Sequence, residues 1–274
     1  MMKQSTRIAI AYDTLEILEK GNYTNCKNET VHFGDAQAYA LQNTRLYSPE
    51  ELDDLLQAAR PVSHDTIFEV TNETTLDAVR RLAAAGEANI LALNFASAKN
   101  AGGGFLGGAQ AQEESIARAS GLYPCLLKGR NYYEHHRNLD TCLYSDYMIY
   151  SPAVPVLKDE DGRLLDEPVP VSVVTSAAAN AGAIKNNEPE NEYLILPVMK
   201  LRIGKMLALC AAHQHEVLVL GAWGCGVFRN DPDAIALLFR DALNGPFKNV
   251  FRKIVFAVKT NKEAIIAPFQ QYFG

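Results

Sequence analysis

Several short runs in this sequence lack the apolar–polar alternation of a half-exposed strand: residues 89–95, 216–220 and 253–258 are apolar almost throughout. Residues 169–175 add a run rich in β-branched side chains. A strand that is apolar on both sides must be covered on both sides, so these runs demand a sheet sandwiched between two layers of helix. Helical patterns lie where such layers need them, at residues 74–85 (closed by Gly86), about 112–119, 193–213 and 262–272. A further helix opens at Asp231-Pro232, Asp as the cap and Pro at the first helical position. Pro197 is a candidate break in the long helix, and residues 66–70 read as one more strand. The expected fold class is α/β, with a mixed, mostly parallel sheet between helices.

Upstream, Ile8, Ala11, Leu15 and Leu18 stand at helical spacing within residues 7–20, and Gly21 is a stop. Residues 22–60 are mixed, with a short strand at 31–33 and a helix at 49–59 that ends before Pro61. Residues 122–165 carry tyrosines and prolines and read as less regular, with an exposed turn at 158–163. No internal repeat, low-complexity tract or linker divides the chain. The expectation is one catalytic domain over residues 1–274, with residues 1–60 an N-terminal helical extension packed on it.

The 26 basic and 32 acidic residues leave a net charge of −6, which excludes non-specific binding of long nucleic acid through a basic footprint. It leaves room for a phosphate-bearing ligand held locally by loop amides. Five cysteines (Cys26, Cys125, Cys142, Cys210, Cys225) are scattered, odd in number and without a CxxC pair, unlike a disulfide framework or a zinc site. The start, Met1-Met2-Lys3-Gln4, has no signal-sequence pattern. No apolar run approaches the roughly 18–20 residues that cross a membrane. A cytoplasmic, reducing location is expected.

Two glycine-rich loops leave two of the apolar strands. The first is Asn100-Ala101-Gly102-Gly103-Gly104-Phe105-Leu106-Gly107-Gly108, the second Gly221-Ala222-Trp223-Gly224-Cys225-Gly226-Val227-Phe228. Glycine lets backbone approach a ligand closely, and consecutive amides can then face one phosphate. Ligands of open α/β sheets gather at the carboxyl ends of strands, where these loops lie. Neither loop has the GxGxxG or GK[ST] pattern of dinucleotide and P-loop sites.

Seven residues beyond the glycine triplet comes Gln112-Glu113-Glu114, at the head of a helix. Acidic residues in a first turn also simply favour the helix dipole. Their place beside a phosphate cradle suggests more. Neighbouring helical residues point about 100° apart, so the two carboxylates have different tasks. Cleaving a glycosidic bond needs a proton for the leaving oxygen while oxocarbenium character develops on the sugar. A carboxyl near another carboxylate and an anionic diphosphate keeps its proton more tightly, and a helix N-terminus pulls the other way.

The triplet, the seven-residue gap and Gln112-Glu113-Glu114 together resemble the GGG-x(6–8)-QEE signature of poly(ADP-ribose) glycohydrolases, in their compact bacterial form. Asn94-Phe95-Ala96-Ser97, Tyr132-Tyr133-Glu134, Tyr150-Ser151-Pro152, the stretch from Thr175 to Gly182 and the second glycine loop extend the resemblance over nearly the whole chain. It implies a three-layer macrodomain fold and ADP-ribose bound across the two loops. It implies Glu114 as the catalytic acid and later the base for water, and Glu113 as the group holding ribose hydroxyls. Gly102, Gly103 and Gly104 would approach the distal ribose and diphosphate, with Asn100 and Gln112 as further substrate-binding residues. Gly224, Cys225, Gly226, Val227 and Phe228 would wrap the diphosphate, Phe228 beside the distal ribose. The implied substrates are poly(ADP-ribose) and ADP-ribosylated proteins, with no cofactor and no metal. Ala101 departs from the proline of many relatives, which removes a ring that stiffens the loop. Phe256 is a candidate for the adenine side.

Other features carry less. His135-His136 and His213/His215 lack companion ligands and read as surface or helix-end histidines. Cys225 reads as a small turn residue rather than a nucleophile, since no motif places a histidine base beside it. Trp223 fits core or a base-stacking role, and Lys99, Arg118 and Lys128 read as solvated surface. Two other functions share the implied fold: a reader that binds ADP-ribose without cutting it, and a hydrolase of mono-ADP-ribosylated targets. A reader has no use for an acid at Glu114; substrate assays separate the hydrolases.

Overall fold

The computed structural model describes residues 2–58, 60 and 62–274; Ala59, the expected end of the 49–59 helix, lies outside the described residues, as does Pro61. Helix α1 (Gln4–Lys20) is followed by an antiparallel ribbon of β1 (Asn22–Thr24) and β2 (Thr30–His32). Then come α2 (Gly34–Asn43), β3 (Arg45–Tyr47) and α3 (Pro49–Gln57). A capping box starts α3, the Ser48 hydroxyl accepting from Glu51 N–H and the Glu51 carboxylate from Ser48 N–H. The chain continues through β4 (Ile67–Thr71), α4 (Thr75–Ala84), β5 (Ile90–Phe95), α5 (Gln112–Ala119), α6 (Leu122–Lys128) and α7 (Arg130–Arg137). It closes with β6 (Met148–Lys158), β7 (Leu164–Ser176), α8 (Ala181–Asn187), α9 (Ile195–Ala212), β8 (Val217–Leu220), α10 (Pro232–Asn244), β9 (Lys253–Ala257) and α11 (Glu263–Phe273).

Seven strands form one sheet in the order β3-β6-β7-β5-β8-β9-β4. The five from β7 to β4 run parallel, while β6 is antiparallel to both β7 and β3. The apolar runs are split by the pleat between two cores, as strands buried on both faces require. Leu91, Leu93, Leu218, Leu220, Ile254 and Phe256 face α3, α9, α10 and α11. Ile90, Ala92, Val217, Val219, Val255 and Ala257 face α2, α4, α5, α6 and α7. The three-layer α/β architecture read from the apolar runs is therefore the observed one. Parallel β5 and β8 are direct neighbours, so their two glycine loops emerge side by side.

Residues 122–165 depart from the irregular reading: they hold α6, α7 and the eleven-residue β6. Pro152 and Pro155 hide that strand in the sequence. The register slips between Ser151 and Val154, where Ala153 takes a positive φ of 47°. Beyond that point β3 no longer flanks β6, so the missing N–H of Pro155 leaves no ladder bond unmade. The turn at 158–163 is present but only partly exposed: Glu160 is half-buried, and Lys158 is fully buried, its ammonium donating to Asp13, Thr14 and the Ile10 carbonyl on α1. Pro197 does not break α9. It is the third helical residue, a position whose N–H has no intrahelical acceptor.

Helix α9 also carries two deeply buried charges. Arg202, 1% exposed, donates to Asp146 Oδ1 (2.9 Å) and to the carbonyls of Ala177 (2.9 Å) and Leu143 (3.1 Å). Lys205 takes the other oxygen of Asp146 at 2.9 Å and Asp53 of α3 at 2.9 Å. The guanidinium thus ties the exit of β7 to the loop before β6. Removing one partner of such a cluster strands the others without water. Arg202→Ala should cost about 3–5 kcal/mol in urea unfolding; a loss below about 1 kcal/mol would show that water replaces the side chain.

Candidate active site

A cleft of about 630 Å³ runs along the carboxyl ends of the parallel strands. Its walls include Phe95–Ser97 after β5, Ala178 after β7, Gly224, Gly226, Val227 and Phe228 after β8, and residues 257–260 at the end of β9. The first turn of α5 projects into it from one side.

That turn is fixed by Gln112. Its side-chain oxygen accepts from Phe95 N–H (2.8 Å), and its amide nitrogen donates to the Leu93 carbonyl (2.7 Å) and Thr75 Oγ1 (3.0 Å). With its amide committed to the end of β5 and the start of α4, Gln112 stands in the wall as a strut. Glu113 then turns inward, 3% exposed, accepting from Ser97 N–H (2.6 Å) and Asn94 Nδ2 (3.3 Å). Asn94 is itself aligned by a bond from the same nitrogen to Thr175 Oγ1 (3.2 Å). Burial pushes the Glu113 carboxyl up to about 8 against the two hydrogen bonds that favour its charge, with the nearby Glu114 carboxylate adding to the rise.

Glu114 points the other way, onto loop one, where it accepts from Gly104 N–H at 3.0 Å. Gly103 lies between the two acids. A Cβ on Gly103 would stand 3.3 Å from Glu113 Oε2 and would overlap the Glu114 carboxylate, and its φ of 59° is left-handed, so no side chain fits there. The second loop is coiled on itself: Asn230 N–H donates to the Gly224 carbonyl (3.0 Å), and Asn230 Nδ2 donates to Gly224 O (3.2 Å) and Ala179 O (2.8 Å). Gly224, at φ 77°, would drive a Cβ to 2.6 Å from the Ala178 methyl. Among the described residues, the N–H groups of Gly224, Gly226, Val227 and Phe228 have no protein acceptor. Consecutive free amides at a cleft wall form an anion cradle.

Of the residues named from sequence, Asn100, Gly103, Gly104, Gln112, Glu113, Glu114, Gly224, Gly226, Val227 and Phe228 line this one cleft. Gly102 lies behind it, against the Phe105 ring and the Ala117 methyl. Cys225 is 8% exposed, and burial raises its thiol to about 12, which suits a packing residue and not a nucleophile. Phe256 is not on the adenine side of any cleft: it is fully buried among Phe239, Phe269 and Phe273. Trp223 is likewise core, its indole N–H donating to the Ser176 carbonyl.

Arg118 is not surface. It is 7% exposed and donates to the Ala109 carbonyl and Gln110 Oε1, both at 2.8 Å. His136 and His215 are buried as well, the first between the Tyr132 carbonyl and Ser145, the second between Tyr150 OH and the Asn89 carbonyl. Each satisfies main-chain or hydroxyl groups that would otherwise be orphaned. Among the described residues, no three His, Cys, Asp or Glu side chains gather as a metal site would need. Sequence reading missed Asn94 and Asn230. A lone amide inside an apolar strand was the available signal for the first; the second, just beyond the glycine loop, had none.

The comparisons with known proteins bear on the same features. Residues 11–159 match the family model for the microbial-type PARG catalytic domain. A crystal structure of poly(ADP-ribose) glycohydrolase from Thermomonospora curvata is 46% identical, covers 98% of this chain and 100% of its own, and superposes with a TM-score of 0.93. This chain belongs to the microbial-type poly(ADP-ribose) glycohydrolase family. The Thermomonospora curvata enzyme bound to the inhibitor ADP-HPD gives 46% identity, coverage of 97% and 99%, and a TM-score of 0.90. The Deinococcus radiodurans glycohydrolase in complex with ADP-ribose gives 45%, 86% and 96%, and 0.83. No match was found among curated proteins. No helix among the described residues is long and apolar enough to cross a membrane.

The protonation of Glu113 can be read from stability in this member of the glycohydrolase family. Its carboxyl is raised from 4.5 to about 8 on folding. Between those values the unfolded chain gives up a proton that the folded chain keeps, so stability present below about pH 4.5 is lost as pH rises toward 8. The ceiling on that loss is roughly 5 kcal/mol. Glu113→Gln should remove the slope, so the variant gains on the wild type in denaturant unfolding between pH 5 and 8. A wild-type-to-variant difference that stays flat with pH would mean that Glu113 is ionised in the folded protein.

Proposed function

We propose that this chain hydrolyses the ribose–ribose O-glycosidic bonds of poly(ADP-ribose) and releases ADP-ribose, with Glu114 as general acid and base. The supporting observation is the convergence of Glu113, Glu114 and Gly103: two carboxylates meet where only a glycine stands, beside a cradle of free amides. In the proposed first step Glu114 gives its proton to the leaving ribose oxygen as the C1″–O bond breaks and the distal sugar takes on oxocarbenium character. In the second, Glu114 removes a proton from water as the water oxygen bonds to that carbon, which restores the acid. Glu113, held by Asn94 and Ser97, keeps the distal ribose hydroxyls aligned. Loop two takes the diphosphate on its amides, with Phe228 beside the distal ribose.

ADP-ribosylated proteins are the proposed carriers of the polymer, and the cytoplasm the proposed place of action. All five cysteines are free thiols, three of them buried, which suits a reducing compartment.

Purified poly(ADP-ribose) incubated with wild type and with Glu114→Gln, with free ADP-ribose followed by chromatography, tests the assignment. The variant should bind ADP-ribose nearly as well as the wild type and turn over at least ~10²-fold more slowly, the usual effect of deleting a general acid. Full activity in the variant would remove Glu114 from the mechanism. ADP-ribose binding by a wild type that leaves the polymer intact would favour a reader or a mono-ADP-ribosyl substrate. Gly224→Val should weaken ADP-ribose binding by ~10-fold or more through strain and collision with Ala178; unchanged affinity in calorimetry would contradict the loop-two site.

A further inference from the structure

The loop that carries the glycine triplet is fastened from outside. Three consecutive carbonyls on its return limb are each taken by a side chain from a helix. Gln4 Nε2 donates to Gly107 O (2.9 Å), Arg7 Nε to Gly108 O (2.6 Å) and Arg118 Nη1 to Ala109 O (2.8 Å). Arg118 belongs to α5, the helix that bears Glu114. Gln4 and Arg7 belong to the first turn of α1, about a hundred residues earlier in the chain.

Helix α1 is in turn immobilised against the rest of the fold. Thr14 Oγ1 donates to the Arg118 carbonyl (2.5 Å), and the buried Lys158 ammonium donates to Thr14 Oγ1 (2.7 Å). Ala11 packs with Phe105 and Ala117 in a small core of its own. Phe105 directly follows Gly104, whose N–H meets Glu114. Contact therefore runs from α1 through the loop to the acid without a gap.

The physical need for such a brace is plain. Residues 100–108 contain five glycines, so the free loop has many conformations to lose. Its internal bonds are short-range turns, Gly103 N–H to Asn100 O, Phe105 N–H to Gly102 O, Gly107 N–H to Gly104 O, Gly108 N–H to Phe105 O and Ala109 N–H to Gly104 O, and among the described residues no strand pairs with the return limb. Donors from two fixed helices supply what the missing strand would. We propose that Gln4 and Arg7 are positioning residues of the active site, and that α1 holds loop one in the shape that presents Gly103 and Gly104 to the ligand and to Glu114. Neither side chain lines the cleft, so each acts through the loop. The proposal rests on the reading of the cleft as the ADP-ribose site.

Arg7→Ala, Gln4→Ala and the double variant test it. In the ligand-free proteins, amide hydrogen exchange over residues 102–110 should accelerate about 10-fold in the double variant, with the rest of the molecule unchanged. The ADP-ribose Kd should weaken by about 10-fold and KM for the polymer should rise more than kcat falls, because bound ligand re-forms the loop. Arg7→Lys keeps the charge and loses the forked Nε donor, so it should restore little. Complete rescue by lysine would mean that charge, not tethering, matters and would overturn the proposal. Unchanged exchange in the double variant would overturn it equally. Because exchange is read without ligand, it judges the brace even where wild type fails to bind ADP-ribose, an outcome that overturns the proposed function alone.

Discussion

The side-chain amide of Gln112 joins the end of a buried strand to the start of a helix, and the geometry of the cleft follows from that junction. One oxygen and one nitrogen replace the ladder bonds that Phe95 and Leu93 would otherwise make, so α5 starts at a set height above the sheet. The next two residues then have their directions imposed by helical rotation. Glu113 goes down among Asn94, Ser97 and the strand ends, and Glu114 goes out to the glycine loop. No separate device is needed to give two adjacent, chemically identical side chains two environments.

That arrangement opposes stability. A carboxyl almost removed from water favours its neutral form, and its hydrogen bonds only partly offset the desolvation. The positive φ of Tyr144 and Arg229 nearby adds local strain. The two packed cores and the α9 ion cluster supply the rigidity against which such a site can be held. Unfavourable local features gather at the strand ends, while the strand bodies are apolar and regular.

This division explains what could be read in the sequence. Strand bodies such as residues 89–95 and 216–220 announce themselves, because burial on both faces leaves no other composition. The glycine loops and the Gln112-Glu113-Glu114 motif were legible because backbone approach and acid chemistry admit few residue types. The β6 strand was not, because Pro152 and Pro155 suit a bulged, partly unflanked strand that local rules read as a loop. Arg118 and Lys158 looked like surface because long cationic side chains usually are; only the tertiary fold supplies the carbonyls and hydroxyls that make their burial tolerable. Phe256 failed in the opposite sense: an aromatic near a strand end is equally suited to a ligand or to a core, and here three other phenylalanines surround it.

The amide lining of loop two has a consequence for a protein of net charge −6. Backbone N–H groups attract an anion through dipoles fixed by the fold and carry no counterions to be released. Under the proposed function a diphosphate seated on them is held by short-range geometry, so a threefold change in salt alters its grip far less than it would alter a lysine clamp. Discrimination between a nucleotide diphosphate and nucleic acid in general then rests, under the same proposed function, on backbone amide geometry and not on cationic side chains.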